Sequence, residues 1–290
     1  MSELFSRRSL FAFAAAGVWS TAALAASDRL AALEATSGGR LGVAALDAVS
    51  GARLGHRDDE RFAMCSTFKA MAVAALLTRV DRGAERLDRF VGYGEADLLD
   101  YAPVTRAARG KAGGMALGDL CAAAIEVSDN TAANLILDTI GGPAGWTGFV
   151  RSLGDAASRL DRVEPELNAA EPGDPRDTTT PFAMADDLRL TLLGKVLSPV
   201  SRDRLAGWMG DCRTGAARLR SGLPAAWRIA DKTGTGENGA SGDIAVAWAP
   251  AGPIVIASYL TGARAASPAE CDAVHAEVGR IVAAAFRPHG

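Results

Sequence analysis

Histidine is nearly missing from this chain of 290 residues: His56, His275 and His289 are the whole set. Their spacing does not suit zinc ligation, so a zinc hydrolase is set aside. The four cysteines, Cys65, Cys121, Cys212 and Cys271, form no CxxC pair. A chain of this length needs no staples to hold its core, and the four read as small buried thiols. An excess of positive charge is also lacking, with 31 basic against 34 acidic side chains, net charge −3 and pI near 5.7. Nucleic acids and anionic membranes need a clustered basic surface, so neither is an expected partner; a small molecule fits better. There is no low-complexity tract and no internal repeat.

What is present is an ordinary globular composition, 49% hydrophobic and 22% charged. The first 26 residues differ from the rest. Arg7 and Arg8 precede a small, apolar stretch from Leu10 to Ala25, and Ala23-Leu24-Ala25 has the small-x-small pattern of a signal-peptidase site. A membrane anchor would need roughly 20 apolar residues, and Gly17 and Ser20 interrupt this stretch. It is read as a cleaved export signal, with a periplasmic destination. Ser6-Arg7-Arg8-Ser9-Leu10-Phe11 resembles a twin-arginine signal.

The pattern then predicts a helix over 28–36 and a strand over 41–48 with a turn at Ser50-Gly51. Helices follow over 66–81, 117–125, 131–140, 143–153, 181–193 and 198–209. Strand signals return at 227–230, 244–248 and 254–260, before a closing helix over 268–286. Strands at both ends with helices between them predict an antiparallel sheet built from both termini, flanked by helices, plus an all-helical lobe. By layers this is α/β, by strand order α+β. The expected division is 1–26 signal, 27–62 with 215–290 an α/β lobe, and 63–214 a helical lobe, with a site in the cleft between lobes. Residues 161–179 break the helical pattern with Pro165, Pro172, Gly173 and Pro175, and long structureless loops in compact domains are usually functional.

Ser66 and Lys69 are three apart at the start of a helix, hence on one face, as a serine nucleophile with a lysine partner requires. The helix N-terminus adds free N–H groups for an oxyanion. The apolar neighbours Met64, Cys65, Phe68, Met71 and Val73 leave Lys69 little water, and a buried lysine needs a partner or a shifted pKa. Ser128-Asp129-Asn130 falls between two apolar helices and by itself is a turn or an N-cap. Lys232-Thr233-Gly234 ends a strand-like run, where a lysine and hydroxyls on one edge suit a carboxylate. Gly234, Gly236 and Gly239 spell GxGxxG, but a strand follows instead of a helix, which rejects a dinucleotide site.

Together and in this order, the three motifs resemble the Ser-x-x-Lys, Ser-Asp-Asn and Lys-Thr-Gly set of class A serine β-lactamases and penicillin-binding proteins. The resemblance runs from about Asp28 to Arg287. Glu164-Pro165-Glu166-Leu167-Asn168 adds the Glu-x-x-Leu-Asn motif that penicillin-binding proteins lack, with Glu164 in register. An acyl-enzyme ester persists unless a positioned base activates water against it, and Glu164 with Asn168 is the expected pair.

The resemblance implies a monomeric enzyme without cofactor or metal, opening penicillin- and cephalosporin-type β-lactams and so conferring antibiotic resistance. Ser66 is the implied nucleophile, with Lys69 or Glu164 as its base; Ser128 protonates the leaving nitrogen. The N–H groups of Ser66 and Thr235 form the oxyanion hole, and Asn130 meets the acylamide side chain. Lys232, Thr233, Thr235 and Arg218 bind the substrate carboxylate, and Tyr101 borders the cleft mouth. A cis Glu164-Pro165 bond and an Arg162–Asp177 ion pair closing the loop are implied as well. One group of class A carbapenemases bridges the cysteine before the nucleophile to a second cysteine, a position held here by Gly236, so that route to carbapenem hydrolysis is not supported. A penicillin-binding DD-peptidase-like enzyme shares Ser66, Lys69 and Lys232, and an exported binding module that has kept the fold is a further reading.

Overall fold

The computed structural model describes residues 21–286, so most of the export-signal stretch, and His289, lie outside the described residues. Helix α1 (Thr21–Ser37) leads into the hairpin of β1 (Arg40–Asp47) and β2 (Arg53–His56). The turn between them is an Asx turn in which Asp47 Oδ1 accepts the N–H groups of Val49 and Ser50. Then come β3 (Phe62–Ala63), a 3₁₀ turn (Cys65–Thr67), α2 (Phe68–Asp81), β4 (Phe90–Gly92), α3 (Pro103–Ala112) and β5 (Gly114–Ala116). The series continues with α4 (Leu117–Glu126), α5 (Asn130–Ile140), α6 (Gly142–Leu153), β6 (Thr178–Thr179), α7 (Pro181–Leu192), α8 (Pro199–Gly210) and the short α9 (Leu219–Gly222). Three long strands, β7 (Arg228–Thr235), β8 (Ser241–Ala249) and β9 (Gly252–Thr261), precede α10 (Pro268–Ala285).

The five-stranded sheet has the order β2-β1-β9-β8-β7, antiparallel throughout. Strand β1 pairs with β9 from Arg40↔Thr261 to Asp47↔Ile254, which joins the start of the chain to its end. Both faces are covered, so the strands read as continuous apolar runs. Alternation along β1 sends Leu41, Val43 and Ala45 to the layer of α1 and α10, where Leu30, Val278 and Ile281 pack. Ala44 and Leu46 face the other way, with Met184 and Leu188 of α7 and with the buried α2. Helix α2 is buried without interruption from Phe68 to Thr78, which explains its lack of a polar stripe. Trp146 is fully buried beside it and donates its indole N–H to Phe68 O at 3.0 Å.

The sheet at both termini and the helices between match the fold class expected from the pattern. Three details differ. Ser66 sits in the 3₁₀ turn, and the α-helix begins at Phe68 instead of Ser66. The strand expected over 227–230 extends to Thr235, because the buried charges Asp231 and Lys232 interrupt its apolar pattern without interrupting its hydrogen bonds. Helix α3 has no apolar stripe to reveal it, since only Thr105 is buried; Pro103 at its start and Gly113 in a left-handed C-cap (φ 70°) define it. All four cysteines are buried and free.

Asp187 of α7 and Asp155 form a pair of buried carboxyl groups. Asp155 Oδ1 accepts the N–H groups of Ala157 and Ser158, while Asp155 Oδ2 and Asp187 Oδ2 face no N–H or hydroxyl donor among the described residues. A proton held between the two carboxyls satisfies both. Burial, followed by the repulsion of Asp155, pushes Asp187 up to about 9. The folded state therefore holds a proton that the unfolded chain releases near pH ~3.9. Its contribution to stability is complete below about pH 4 and is lost as pH rises through the folded value near 9. Asp187→Asn keeps the shape without the titration. The melting-temperature gap, variant minus parent, is expected to widen by about 3 °C or more between about pH 5 and pH 9, and a gap independent of pH would show that no proton is held there.

Candidate active site

The nucleophile turn is entered through Cys65 at φ 43°, the left-handed region that side chains with a Cβ avoid. The edge strand β7 lies directly against it. A Cβ on Gly234 would stand 2.7 Å from Met64 O and 3.0 Å from Ser66 N, so only glycine lets the two backbones approach this closely. Across the hairpin, Gly236 N bonds Ala240 O at 3.0 Å. By the alternation of an antiparallel ladder, the backbone groups of Thr235 and Thr233 then point away from β8, off the sheet edge. Lys232 Nζ meets Thr233 O on that side at 2.7 Å. The free N–H of Thr235 and that of Ser66 accordingly border the same cleft.

Ser66 Oγ donates to Glu164 Oε1 at 3.1 Å, and Lys69 Nζ lies 3.0 Å from the same oxygen. Both charged side chains are 0% exposed. The ammonium also donates to Ser128 O (2.8 Å), Ser128 Oγ (3.2 Å) and Asn130 Oδ1 (2.7 Å). Burial pulls the Lys69 pKa down, and the Glu164 carboxylate opposes it. Lys232 Nζ reaches Ser128 Oγ from the other side at 3.1 Å. Its pKa is drawn down to about 8, first by burial and then by the Lys69 charge. Because the hydroxyl of Ser128 accepts from two ammonium groups, its own proton is free to point into the cleft. Ser128 is held at φ 62°, and Asp129 beside it caps α5 through Ala132 N. The same carboxylate accepts the N–H groups of Val104 and Thr105, which fastens the Tyr101 segment to α5.

The proline-rich loop is secured at several points. Arg162 Nε meets Asp177 Oδ2 at 2.5 Å, and Asp177 Oδ1 accepts the N–H groups of Asp161 and Arg162. Asn134 Oδ1 and Nδ2 pair with Glu164 N and O, each at 2.9 Å. The Glu164-Pro165 bond is cis. Asn168 Nδ2 donates to Glu164 Oε2, and Asn168 O accepts Glu237 N at 2.8 Å, tying the loop to the β7–β8 hairpin. At Gly236 a Cβ would come within 2.6 Å of both Cys65 Sγ and Asn168 O. Arg218 is nearly buried: it donates through Nη2 to Thr235 Oγ1 (2.7 Å) and through Nη1 to Gly234 O and Gly242 O (2.8 Å), while Nε pairs with Asp272 (2.6 Å).

A cavity of about 460 Å³ opens between these elements, lined by Ser66, Tyr101, Ser128, Asn130, Asn168, Thr214, Arg218, Thr233 and Thr235. Lys69, Glu164 and Lys232 lie behind this lining, bonded to Ser66, Ser128, Asn130 and Asn168. Ser66, Lys69, Tyr101, Ser128, Asn130, Glu164, Asn168, Arg218, Lys232, Thr233 and Thr235 are thus brought to one place. His56 is engaged with Glu34, and His275 lies between Ser241 Oγ and Ser258 Oγ. Sequence reasoning did not find Asn134, Asp272 or Thr214. Asn134 follows Asn130 at i+4, a spacing that places it on the same face of α5. For Asp272 and Thr214 the local sequence carries no such signal.

A model of the β-lactamase enzyme family matches residues 25–286. The L2 β-lactamase of Stenotrophomonas maltophilia is 52% identical over 269 residues, 92% of this chain and 88% of that protein. The CTX-M-8 β-lactamase of Citrobacter amalonaticus is 47% identical over 236 residues, 81% and 80% of the two chains. Among solved structures, an ancestral class A β-lactamase superposes with TM-score 0.87 at 58% identity, covering 90% of this chain and all of its own. A putative class A β-lactamase from Rhodopseudomonas palustris gives TM-score 0.88 at 52% identity, again over 90% of this chain and 100% of its own. With its fold, its relatives and its site motifs in agreement, this chain belongs to the class A serine β-lactamase family.

Proposed function

We propose that Ser66 carries the acyl group in the hydrolysis of β-lactam rings by this enzyme. The supporting observation is the contact of the Ser66 hydroxyl with a carboxylate that is itself paired to a buried lysine. In acylation, Ser66 Oγ bonds to the lactam carbonyl carbon and passes its proton to the Glu164–Lys69 unit. The oxyanion forms between the N–H groups of Ser66 and Thr235. Collapse of this intermediate breaks the C–N bond, and Ser128, whose proton is free, delivers it to the departing nitrogen. Lys69 and Lys232, bonded to Ser128 Oγ, stabilise the alkoxide that would otherwise form and resupply the proton. Deacylation needs a water activated by Glu164, with the carboxylate oriented by Asn168 and by the Asn134 clamp on its backbone. Hydrolysis of the ester then regenerates Ser66.

Lys232, Thr233, Thr235 and Arg218 are assigned to the substrate carboxylate, Asn130 to the acylamide side chain and Tyr101 to the outer wall. Penicillins and cephalosporins, which carry both groups, are the proposed substrates. The two-lobed division, 27–62 with 215–290 against 63–214, is proposed with the cleft as its seam. Export to the periplasm with removal of residues 1–26, supported by the Arg7-Arg8 and Leu10–Ala25 pattern, and function as a monomer complete the proposed reading.

Purified enzyme should hydrolyse a chromogenic cephalosporin over many turnovers, and Ser66→Ala should lose nearly all of that rate. Stoichiometric labelling without further product release would point to a DD-peptidase-like enzyme, and no reaction at all to a binding module. The pH profile supplies a separate check. Lys232, drawn down to about 8, loses its charge as pH rises through that value. KM for anionic substrates is therefore expected to climb above about pH 8, approaching about tenfold per pH unit, while a neutral ester substrate shows no such rise. A KM for the anionic substrate that stays flat through about pH 10 would remove Lys232 from carboxylate binding.

A further inference from the structure

The connection between α8 and α9 places a hydroxyl at the mouth of the carboxylate pocket that the reaction scheme does not use. Thr214 Oγ1 lies 2.5 Å from Thr233 Oγ1, and both residues line the cleft with Arg218 and Thr235. Thr233 Oγ1 has no other hydrogen-bond partner among the described side chains. Two hydroxyls share one bond, so one of them donates and the other accepts. If Thr233 donates to Thr214, its proton is turned away from any ligand in the cleft. If Thr214 donates, the proton of Thr233 is free to point at an incoming carboxylate. The second arrangement is the better one once an anion is present, because a bond to a charged acceptor is roughly twice as strong as one between neutral groups. Among the described residues the one other hydrogen-bond partner of Thr214 Oγ1 is Cys212 Sγ at 3.4 Å, a weak acceptor that competes poorly for its proton.

We propose that Thr214 is a positioning residue for substrate recognition: its hydroxyl donates to Thr233 Oγ1 and thereby aims the Thr233 proton at the carboxylate of the β-lactam. The proposal rests on the assignment of Thr233 to carboxylate binding. Thr214 touches no reacting atom, so its effect falls on the binding of carboxylate-bearing substrates and leaves the acylation and deacylation chemistry intact. Specificity for an anion thus depends on a threonine outside the three motifs. A half-buried valine of the same shape removes it without opening a cavity, and a serine retains it.

The test compares a penicillin with its methyl ester in the parent enzyme and in Thr214→Val, Thr214→Ser and Thr233→Val. Thr214→Val is expected to raise KM for the acid about three- to tenfold, the range that one net hydrogen bond is worth, with kcat near the parent value. The ester should change less than about twofold, and Thr214→Ser should restore the acid KM. Equal losses on acid and ester, or an acid KM unchanged in Thr214→Val, overturn the proposal. Thr233→Val separates the two layers of the argument. If it leaves the acid-over-ester preference intact, the carboxylate assignment itself fails and the role of Thr214 with it. If it narrows that preference while Thr214→Val does not, the pocket stands and only the role of Thr214 is overturned.

Discussion

A lysine and a glutamate, both without solvent exposure and 3.0 Å apart, are the constraint on which the rest of the site depends. Removing two charges from water costs several kcal/mol each, and attraction repays it only where the remaining hydrogen-bonding capacity is also filled. Lys69 meets that condition through Ser128 and Asn130, and Glu164 through Ser66 and Asn168. The pair and these partners come from three separate stretches of chain. The pair therefore specifies where the nucleophile turn, the Ser-Asp-Asn connection that opens α5, and the proline-rich loop must meet. The same low-polarity surroundings make the lysine easy to discharge, so one arrangement serves both fold and chemistry.

Holding that pair in place strains the backbone nearby. Cys65 and Ser128, on either side of the lysine, and Asp177 at the loop neck all adopt positive φ. Such conformations cost on the order of 1–3 kcal/mol each and persist only where the surroundings over-determine them. The surroundings do so here: the sheet edge closes on the nucleophile turn through Gly234, and Asp129 and Asp177 each gather several N–H groups. Gly236 lets the hairpin press on the loop and on Cys65 at once, which couples β7 to the segment that carries Glu164.

Much of this was legible in the sequence because the signals were local. The apolar runs of α2 and β8 reveal buried elements, and serine–lysine spacing on one face needs only helix geometry. The four motifs identify the residues that meet in the cleft. What was not legible depends on distant contacts. Helix α3 has no apolar stripe, and its termini are defined by Pro103 and Gly113. Strand β7 runs on through Asp231 and Lys232 because Arg220 and Ser128 receive those charges across the fold. Thr214 belongs to no pattern at all, and only its approach to Thr233 shows that it stands at the pocket.

The buried pair also separates the two half-reactions. Removing one member of such a pair ordinarily costs about 3–5 kcal/mol, but Lys69 can shed its proton. Without Glu164, the larger part of the opposition to its lowered pKa is gone and only the more distant Asp129 charge still opposes it, which favours the uncharged Lys69 that the proposed mechanism needs to accept the proton of Ser66. In the proposed mechanism acylation then proceeds while deacylation lacks its base. Intact mass spectrometry of Glu164→Ala mixed with a penicillin tests this directly. The account predicts a stable species heavier by the full mass of the antibiotic and absent when Ser66 is also replaced by alanine. Rapid return to the unmodified mass would contradict it.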